Sequence, residues 1–357
     1  MFQALCFIAL SSLAELEPDI EWTVSFKTMP QSPTLFSSAA GGATDRVAVA
    51  AGNELAVLDG AGKDVWRVDT GAPVAASPTV ADLDGDGAPE VFALRSDGVA
   101  LCYDAAGGQR WQCKLGPSAE SFALAAAADV HPAPGLEIVV GIPGGWLYCL
   151  DARGKVLWRF FGDTFRLGAC AVGDVNGDGF AEIVYGTDNA NLYCLDGFGR
   201  IVWRASDGNA PFGRSGVNLA DLDSNGSVEV LLTRSNQGNA NCLAAFDGAT
   251  GALEWRSATL MQGYISNATV DLDGDGKLET LHCNKGNFVH CTNADGSERW
   301  CAELAGHGIF WAPAVADVNG DGAPEMVAGM RGVDSKTGAT HVLLSATGEV
   351  LAPFKLG

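Results

Sequence analysis

The feature that most constrains this chain is an acidic segment that recurs along it at a nearly fixed interval. The segments begin at Asp82, Asp174, Asp221, Asp271 and Asp317, and a degenerate copy begins at Asp129. Successive starts are 47, 45, 47, 50 and 46 residues apart. A fixed period of this size is the mark of an array of similar structural units, each of which buries its apolar surface against its neighbours.

A second segment follows each acidic one and ends in a tryptophan. The segments that follow the first five acidic segments, counting the degenerate one, end at Trp111, Trp158, Trp203, Trp255 and Trp300. A similar segment before the first acidic one ends at Trp66. The first Asp and the Trp are 29 residues apart in four units, whereas about five residues are inserted in the unit that ends at Trp255. The first unit has Ser37 where the acidic Asp is expected, and the last has Leu351 in the place of the Trp. The chain therefore contains seven units.

Each unit has the pattern of four short β-strands. In the second unit the apolar runs SPTVADL, PEVFALR, GVALCYD and QRWQCKL are separated by the turn signals DGDG, SDG and AAGG. No helical period competes with this pattern. Four strands in about 46 residues are typical of a propeller blade, so we predict an all-β, seven-bladed β-propeller of four-stranded antiparallel blades over residues 31–357. In residues 15–30, the run from Ile20 to Phe26 resembles an outer strand, which either closes the ring on the last blade or is the remnant of an eighth blade.

The repeats resemble two known families. The acidic segments are similar to the FG-GAP or VCBS-type repeats of integrin-like propellers, and the segments ending in Trp are similar to the repeats of pyrroloquinoline-quinone-type propellers. The resemblance covers nearly the whole chain after about residue 30. It implies the propeller fold and supports calcium ligation by the acidic loops. It does not fix the function, because a fold shared by many activities does not define a site.

The acidic loops carry oxygen ligands at alternate positions, a pattern that suits Ca²⁺ better than Mg²⁺. In the second unit Asp82, Asp84 and Asp86 turn toward one point, and the carbonyl of Ala88 and the carboxylate of Glu90 complete the shell. Asp, Asn and Gly also favour plain turns, but five copies in register favour metal. The corresponding ligands of the other four loops are Asp174, Asn176, Asp178, Phe180 and Glu182; Asp221, Asp223, Asn225, Ser227 and Glu229; Asp271, Asp273, Asp275, Lys277 and Glu279; and Asp317, Asn319, Asp321, Ala323 and Glu325.

We therefore expect about five structural Ca²⁺ ions and none at Asp129 or in the first unit. The composition agrees, because 43 acidic against 22 basic residues give a net charge of −21, which bound cations would offset. The same balance argues against nucleic acid as a partner, since phosphate neutralisation needs clustered cations. No apolar run reaches the roughly 18 residues of a membrane span, so we expect no membrane insertion. We also expect the protein to be a monomer.

Tryptophans and cysteines receive structural interpretations. The repeated Trp residues are expected to pack between blades. Cys102, Cys149, Cys194 and Cys291 lie on third strands and are expected to be small buried apolar groups. Cys102 and Cys113 flank one turn, so a cross-strand disulfide between them is the single pairing left open.

Residues 1–14 are apolar and end in a small-x-small pattern, which indicates a signal peptide without its basic region and a periplasmic or secreted protein.

Four polar residues lie at the starts of innermost strands and are expected to ring the mouth of the channel, on the face opposite the calcium loops. They are Arg166, Arg214, Tyr264 and His307. Two hypotheses follow: a scaffold or binding module for a carbohydrate or protein, or a lyase that cleaves a uronate polysaccharide by β-elimination. In the lyase Arg166 or Arg214 neutralises the uronate, His307 is the base and Tyr264 the acid.

Overall fold

The computed structural model of the 357-residue chain describes most of the strands of the propeller and many of the loops that join them. The described residues are 2–4, 8–9, 19–20, 22–28, 30–38, 45–118, 125–132, 134–163, 169–206, 216–233, 243–258, 263–284, 287–304, 307–309, 313–317, 322–331 and 340–355. These residues form β-strands and the turns, bends and irregular loops between them, and within these ranges no helix is long and apolar enough to cross a membrane.

Seven antiparallel sheets follow one another along the chain, and each is one blade. They are preceded by four short strands, Phe2–Ala4 (β1), Ile8–Ala9 (β2), Asp19–Ile20 (β3) and Val24–Phe26 (β4). Blade 1 contains Thr34–Phe36 (β5), Arg46–Ala51 (β6), Glu54–Asp59 (β7) and Asp64–Asp69 (β8). Blade 2 contains Thr79–Ala81 (β9), Glu90–Leu94 (β10), Val99–Tyr103 (β11) and Gln109–Lys114 (β12). Blade 3 contains Ala125–Ala128 (β13), Glu137–Ile142 (β14), Trp146–Leu150 (β15) and Val156–Phe161 (β16).

The remaining blades repeat this order. Blade 4 contains Ala171–Gly173 (β17), Glu182–Gly186 (β18), Asn191–Leu195 (β19) and Ile201–Ser206 (β20). Blade 5 contains Val217–Ala220 (β21), Glu229–Thr233 (β22), Leu243–Asp247 (β23) and Leu253–Arg256 (β24). Blade 6 contains Gly263–Val270 (β25), Glu279–Asn284 (β26), Phe288–Thr292 (β27) and Glu298–Glu303 (β28). In blade 7 the innermost strand is divided into His307–Ile309 (β29) and Ala314–Ala316 (β30). The other strands of this blade are Glu325–Arg331 (β31), Thr340–Leu344 (β32) and Val350–Lys355 (β33).

The predicted all-β, seven-bladed propeller is therefore confirmed. Consecutive strands pair within each blade, as short turns between antiparallel neighbours require. The core lies between blades, because the middle strands carry mostly apolar side chains on both faces and each face packs on a neighbouring sheet. Ala48 and Val57 of blade 1, for example, form one buried cluster with Val91 and Leu101 of blade 2.

The repeated tryptophans join each blade to the next one along the chain, as predicted. The Trp66 indole donates to the Ala105 carbonyl at 3.1 Å, and the Trp203 indole donates to the Gly248 carbonyl at 2.7 Å. Each ring covers a glycine of positive φ in the turn between the third and fourth strands of the following blade. That glycine has no room for a side chain, since a Cβ on Gly154 would lie 2.5 Å from the Trp111 ring.

The strand register corrects the expected residue at the tryptophan position of blade 7. Trp158 pairs with Cys149, and the corresponding residue of the last blade, Leu343, pairs with Ala352. Ala352 therefore occupies the position that the sequence spacing assigned to Leu351. A β-bulge between Leu343 and Leu344 accompanies the turn in this blade, as it does in the others.

The cysteines have the structural role that their positions indicate. Cys102, Cys149, Cys194 and Cys291 are fully buried, and the eight cysteines in the described ranges are free thiols. The one disulfide left open does not form, because Cys102 pairs with Trp111 and Cys113 pairs with Ala100 two positions away. These side chains therefore do not face one another across the hairpin.

The strands before blade 1 pair as one hairpin register. Phe2 pairs with Phe26 and Ile8 with Ile20. Trp22 then packs over Gly62 and donates to the Gly60 carbonyl at 2.9 Å, which is the contact that the repeated tryptophans make with the blade that follows them. β4 thus lies where the outer strand of a blade preceding blade 1 would lie, and its pairing partner is β1.

Candidate metal centre in the acidic loops

Each acidic loop joins the first and second strands of a blade and is wrapped around its first aspartate. In blade 2 the Asp82 carboxylate accepts backbone N–H groups from Gly85, Asp86 and Gly87 at 2.9 to 3.1 Å. Equivalent bonds reach the first aspartates of blades 4, 5, 6 and 7, at Asp174, Asp221, Asp271 and Asp317. These donors lower the pKa of Asp174, with the Gly179 amide contributing most. In blade 4 the backbone of the loop thus favours the ionised form of Asp174.

The glutamate that ends each loop is buried and holds the loop to its strand. Glu90 is 2% exposed, and its Oε2 accepts the Leu83 amide at 2.8 Å. The glutamates of blades 4, 5 and 6 accept the matching amides of Val175, Leu222 and Leu272. Glu137 does the same in the degenerate loop, where it accepts the amides of Val130 and His131. The glutamate therefore has a structural task that does not require metal, which the sequence analysis missed.

The loops bring carboxylates together in three of the five predicted sites. Three acidic oxygens lie within 4.8 Å of one another in each of blades 2, 5 and 6. The three groups are Asp82, Asp84 and Asp86; Asp221, Asp223 and Glu229; and Asp271, Asp273 and Glu279. Hard oxygen donors at this separation fit Ca²⁺, which accepts six to eight such ligands in flexible geometry. The residue types and positions therefore suit the ion that the sequence predicts.

The other two loops are less completely defined as sites. In blade 4, Asn176 donates its amide to Glu182 Oε1 at 3.1 Å, and the described residues there form no group of three acidic oxygens at this separation. In blade 7, Asn319 and Asp321 lie outside the described residues. In blades 2, 4, 5 and 6 the seventh-position amide donates to the fifth-position side chain, as Ala88 does to Asp86 at 2.8 Å. This bond aims the fifth side chain back across the loop.

Two loops contain an internal cation that the sequence analysis did not identify. Arg110 of β12 contacts both Glu90 Oε1 and Asp84 Oδ2 at 2.5 Å. Arg299 of β28 contacts Glu279 Oε1 at 2.9 Å and Asp273 Oδ2 at 2.5 Å. Each arginine directly precedes the repeated Trp, which is the sequence signal that could have revealed this pairing. A Ca²⁺ ion bound in blade 2 or blade 6 would share these carboxylates with a guanidinium.

Blade 5 has an acidic residue in place of that arginine. Glu254 precedes Trp255, and no lysine or arginine of the described chain pairs with Glu229, Asp221 or Asp223. Burial raises the pKa of Glu229 to about 7, and the charges of Glu254, Asp223 and Asp221 add to the rise. Of the described loops, this one therefore gains most from a divalent cation.

Glu254→Arg is expected to stabilise the metal-free protein at neutral pH by about 1–2 kcal/mol. The folded pKa of Glu229 lies above its usual value of 4.5, so the free energy of unfolding decreases as pH rises from about 4.5 to about 7. The arginine would pair with Glu229 and Asp223 as Arg110 does in blade 2. Urea unfolding in chelator at pH 5 and pH 7.5 measures the effect, which should be small at pH 5. An equal gain at both pH values would contradict the assignment, and Glu254→Gln separates loss of repulsion from gain of pairing.

The residues predicted at the mouth of the channel lie largely outside the described residues. Arg166 and Arg214 are not described, and for Tyr264 in β25 and His307 in β29 only the backbone is described. His307 pairs with Arg331 in blade 7. The convergence of these four side chains, and the carbohydrate-binding and lyase hypotheses that depend on it, therefore remain predictions.

Comparisons with known proteins show which family of repeat proteins the blades resemble. The family profile described as outer membrane protein assembly factor BamB matches residues 12–159 and, in a second overlapping match, residues 144–321. No curated protein matches the sequence significantly. Among solved structures, BamB from Moraxella catarrhalis superposes with a TM-score of 0.62 at 16% identity, covering 92% of this chain and 88% of that one. Saccharomyces cerevisiae Sqt1 superposes with a TM-score of 0.69 at 11% identity, covering 96% and 88%.

A rhamnogalacturonan lyase, YesW, is also similar, with a TM-score of 0.55 and 17% identity over 81% of this chain and 64% of that one. At these identities the structural likeness extends to the fold and not to the activity. The profile matches together span residues 12–321, which is most of the chain.

Proposed function

Because this chain belongs to the family of the outer membrane protein assembly factor BamB, we propose that it is a non-catalytic propeller that binds protein partners in the cell envelope and is stabilised by Ca²⁺. The description of the family names an assembly factor, which supports a scaffold function. The net charge of −21 disfavours nucleic acid as a partner. A signal peptide in residues 1–14 remains a prediction that fits this location.

The calcium part of the proposal rests most directly on the loop of blade 5. There Asp221, Asp223 and Glu229 place three carboxylate oxygens within 4.8 Å, and Glu229 is only 4% exposed. Ionised carboxylates at this distance repel one another strongly unless a cation joins them. A divalent ion at the centre of the loop would satisfy all three.

The observation that supports a protein partner is a set of exposed apolar side chains on blade 4. Phe180 of the acidic loop is 74% exposed and Phe198 of the turn between the third and fourth strands is 50% exposed. Ile201 and Val202 follow on the outer strand β20 and are 52% and 44% exposed. These four residues, the blade 4 patch, lie at the loop end of one blade. Large exposed apolar side chains at one end of a blade are candidates for contact with a partner.

The blade 4 patch also changes the expected face of binding. The loop between the first and second strands lies on the same side of a four-stranded antiparallel blade as the turn between the third and fourth strands. Phe180 and Phe198 are therefore on the face that carries the acidic loops, whereas the sequence analysis favoured the opposite face. The Arg200 guanidinium lies 4.9 Å from the Phe198 ring centre and the His131 ring lies 5.1 Å away, so this aromatic group with polar neighbours suits an amphipathic partner segment.

A photo-crosslinking amino acid in place of Phe198 is expected to capture a discrete protein partner in intact cells. The same amino acid in place of Lys63, in the equivalent turn of blade 1, is the matched control and should not give that product. Phe180→Ser in the crosslinking background should weaken capture by about thirtyfold, because an aromatic anchor can contribute about 2 kcal/mol to binding. Equal products from both positions would contradict the proposal.

A further inference from the structure

One row of side chains across blade 6 differs in chemistry from the same row of its neighbour. His282 on β26 pairs with His290 on β27, which pairs with Cys301 on β28. Directly opposed residues of antiparallel strands point to the same face of a sheet, so these three side chains share one face. In blade 5 the corresponding row is Leu232, Ala244 and Arg256. The change replaces apolar and cationic groups by nitrogen and sulfur donors.

A carboxylate completes this group at the outer edge of the blade. Glu298 Oε2 lies 3.0 Å from His290 Nδ1. One ligand atom each from His290, Glu298 and Cys301 lie within 4.8 Å of one another. His290 is 4% exposed, whereas Glu298 and Cys301 are on the solvent side of the outer strand. An ion can therefore approach from solvent and still reach a buried imidazole.

The same row contains a further buried histidine, His282, beside the three donors. The His282 ring stacks on the His290 ring with centroids 5.1 Å apart and planes 15° from parallel. His282 is fully buried, and neither of its ring nitrogens has a hydrogen-bond partner among the described residues. Buried polar groups in folded proteins nearly always have a partner, so this side chain calls for an explanation.

We propose that His290, Glu298 and Cys301 form a binding site for a thiophilic divalent cation of the Zn²⁺ type. Imidazole nitrogen, carboxylate oxygen and thiolate sulfur are the three donors that Zn²⁺ takes in proteins, and three protein ligands leave one position for water. A thiolate selects against Ca²⁺ and Mg²⁺, so this site is chemically separate from the acidic loops. Binding releases the thiol proton to solvent, and the ring proton that His290 Nδ1 shares with Glu298 passes to His290 Nε2, so one proton is released per metal ion.

The neighbour on the other side of the His290 ring fits the role of an outer partner. His290 Nε2 lies 2.7 Å from Asn284 Nδ2. With metal on Nδ1, Nε2 carries the proton and donates it to the Asn284 side-chain oxygen once the amide has turned, and this turn replaces the 3.3 Å hydrogen bond that the same oxygen accepts from the Phe288 N–H. A hydrogen bond from the far nitrogen of a ligating histidine fixes the tautomer and the ring orientation. Asn284 is thus assigned as a positioning residue.

Cobalt substitution tests the proposal directly. The reduced full-length protein is stripped of metal, saturated with Ca²⁺ to fill the acidic loops, and titrated with Co²⁺ while absorbance is recorded. We expect one equivalent of Co²⁺ to produce a sulfur-to-cobalt charge-transfer band with the intense visible bands of tetrahedral Co²⁺, and Zn²⁺ to abolish both. Cys301→Ser should remove the charge-transfer band. Cys113→Ser, which alters a cysteine on the outer strand of blade 2, is the matched control and should keep it.

A second variant covers the case in which the cysteine change disturbs the blade. Glu298→Gln alters an exposed side chain and should weaken Zn²⁺ binding by roughly tenfold or more. The melting temperature of each variant in Ca²⁺ shows whether the fold is intact. Co²⁺ uptake without a charge-transfer band, an unchanged band in Cys301→Ser, or unchanged Zn²⁺ affinity in Glu298→Gln would each overturn the proposal.

Discussion

Removal of Ca²⁺ with EGTA is expected to lower the melting temperature of the protein by roughly 10–20 °C. An ion that binds only the folded state stabilises it by about 2.7 kcal/mol when its free concentration is 100 times its dissociation constant. Several such loops act on one cooperative ring. For a chain of this length each kcal/mol shifts the melting temperature by roughly 1–2 °C. Differential scanning calorimetry at 1 mM CaCl₂ and in excess EGTA measures the difference.

Controls separate calcium from other ions and from general charge effects. Readdition of Ca²⁺ should restore the melting temperature, and Mg²⁺ or Zn²⁺ at equal concentration should restore much less. Asp223→Asn should reduce the calcium-dependent part by about the contribution of one loop, because Asp223 belongs to the carboxylate group of blade 5. Asp64→Asn, which alters an exposed carboxylate paired with Arg67 in blade 1, should leave it unchanged. A melting curve that EGTA does not move would refute structural calcium.

Trp203→Ala is expected to reduce the free energy of unfolding by about 3–5 kcal/mol. The indole is 8% exposed, packs over Gly251, and donates to the Gly248 carbonyl. Its removal leaves a cavity between blades 4 and 5 and a buried carbonyl without its donor. Urea unfolding in saturating Ca²⁺ measures the loss.

Two variants on the same strand divide this effect into parts. Trp203→Phe keeps an aromatic ring over Gly251 and removes the hydrogen bond, so it should cost much less than the alanine variant. Val202→Ala changes the preceding, 44% exposed side chain and should have an effect within about 0.5 kcal/mol. If Trp203→Ala cost no more than Val202→Ala, the tryptophan would not be the main contact between the blades.

The propeller could be predicted from sequence because its information is local and repeated. The 29-residue spacing from Asp82 to Trp111 recurs, and each interval contains the same turns, so an error in one unit is corrected by the others. Burial of Cys102 and its counterparts followed from the same register. The acidic loops were also visible, since all their candidate ligands lie within nine consecutive residues.

The contacts that sequence reasoning missed join residues of different strands. Arg110 reaches Glu90 across 20 positions, and His290 faces Cys301 only because β27 and β28 pair in one register. A one-residue shift of that register would turn Cys301 to the other face. The position of Ala352 was misjudged for the same reason, because the longer connection in blade 7 hides the register until the strands are paired.

The tryptophan contacts also affect how the blades pack while the chain is being translated. The indoles of Trp66, Trp111, Trp158, Trp203 and Trp300 donate to carbonyls 39 to 46 residues later in the sequence. A blade that has just left the ribosome therefore presents an uncovered aromatic ring until the next unit has been translated. The C-terminal end of the growing chain therefore exposes an apolar surface after each blade is made. If a further blade is translated before the previous one has packed, two tryptophan rings are exposed at once. Chaperone demand for such a protein should accordingly rise with pauses placed after a tryptophan and fall with pauses placed after the following turn.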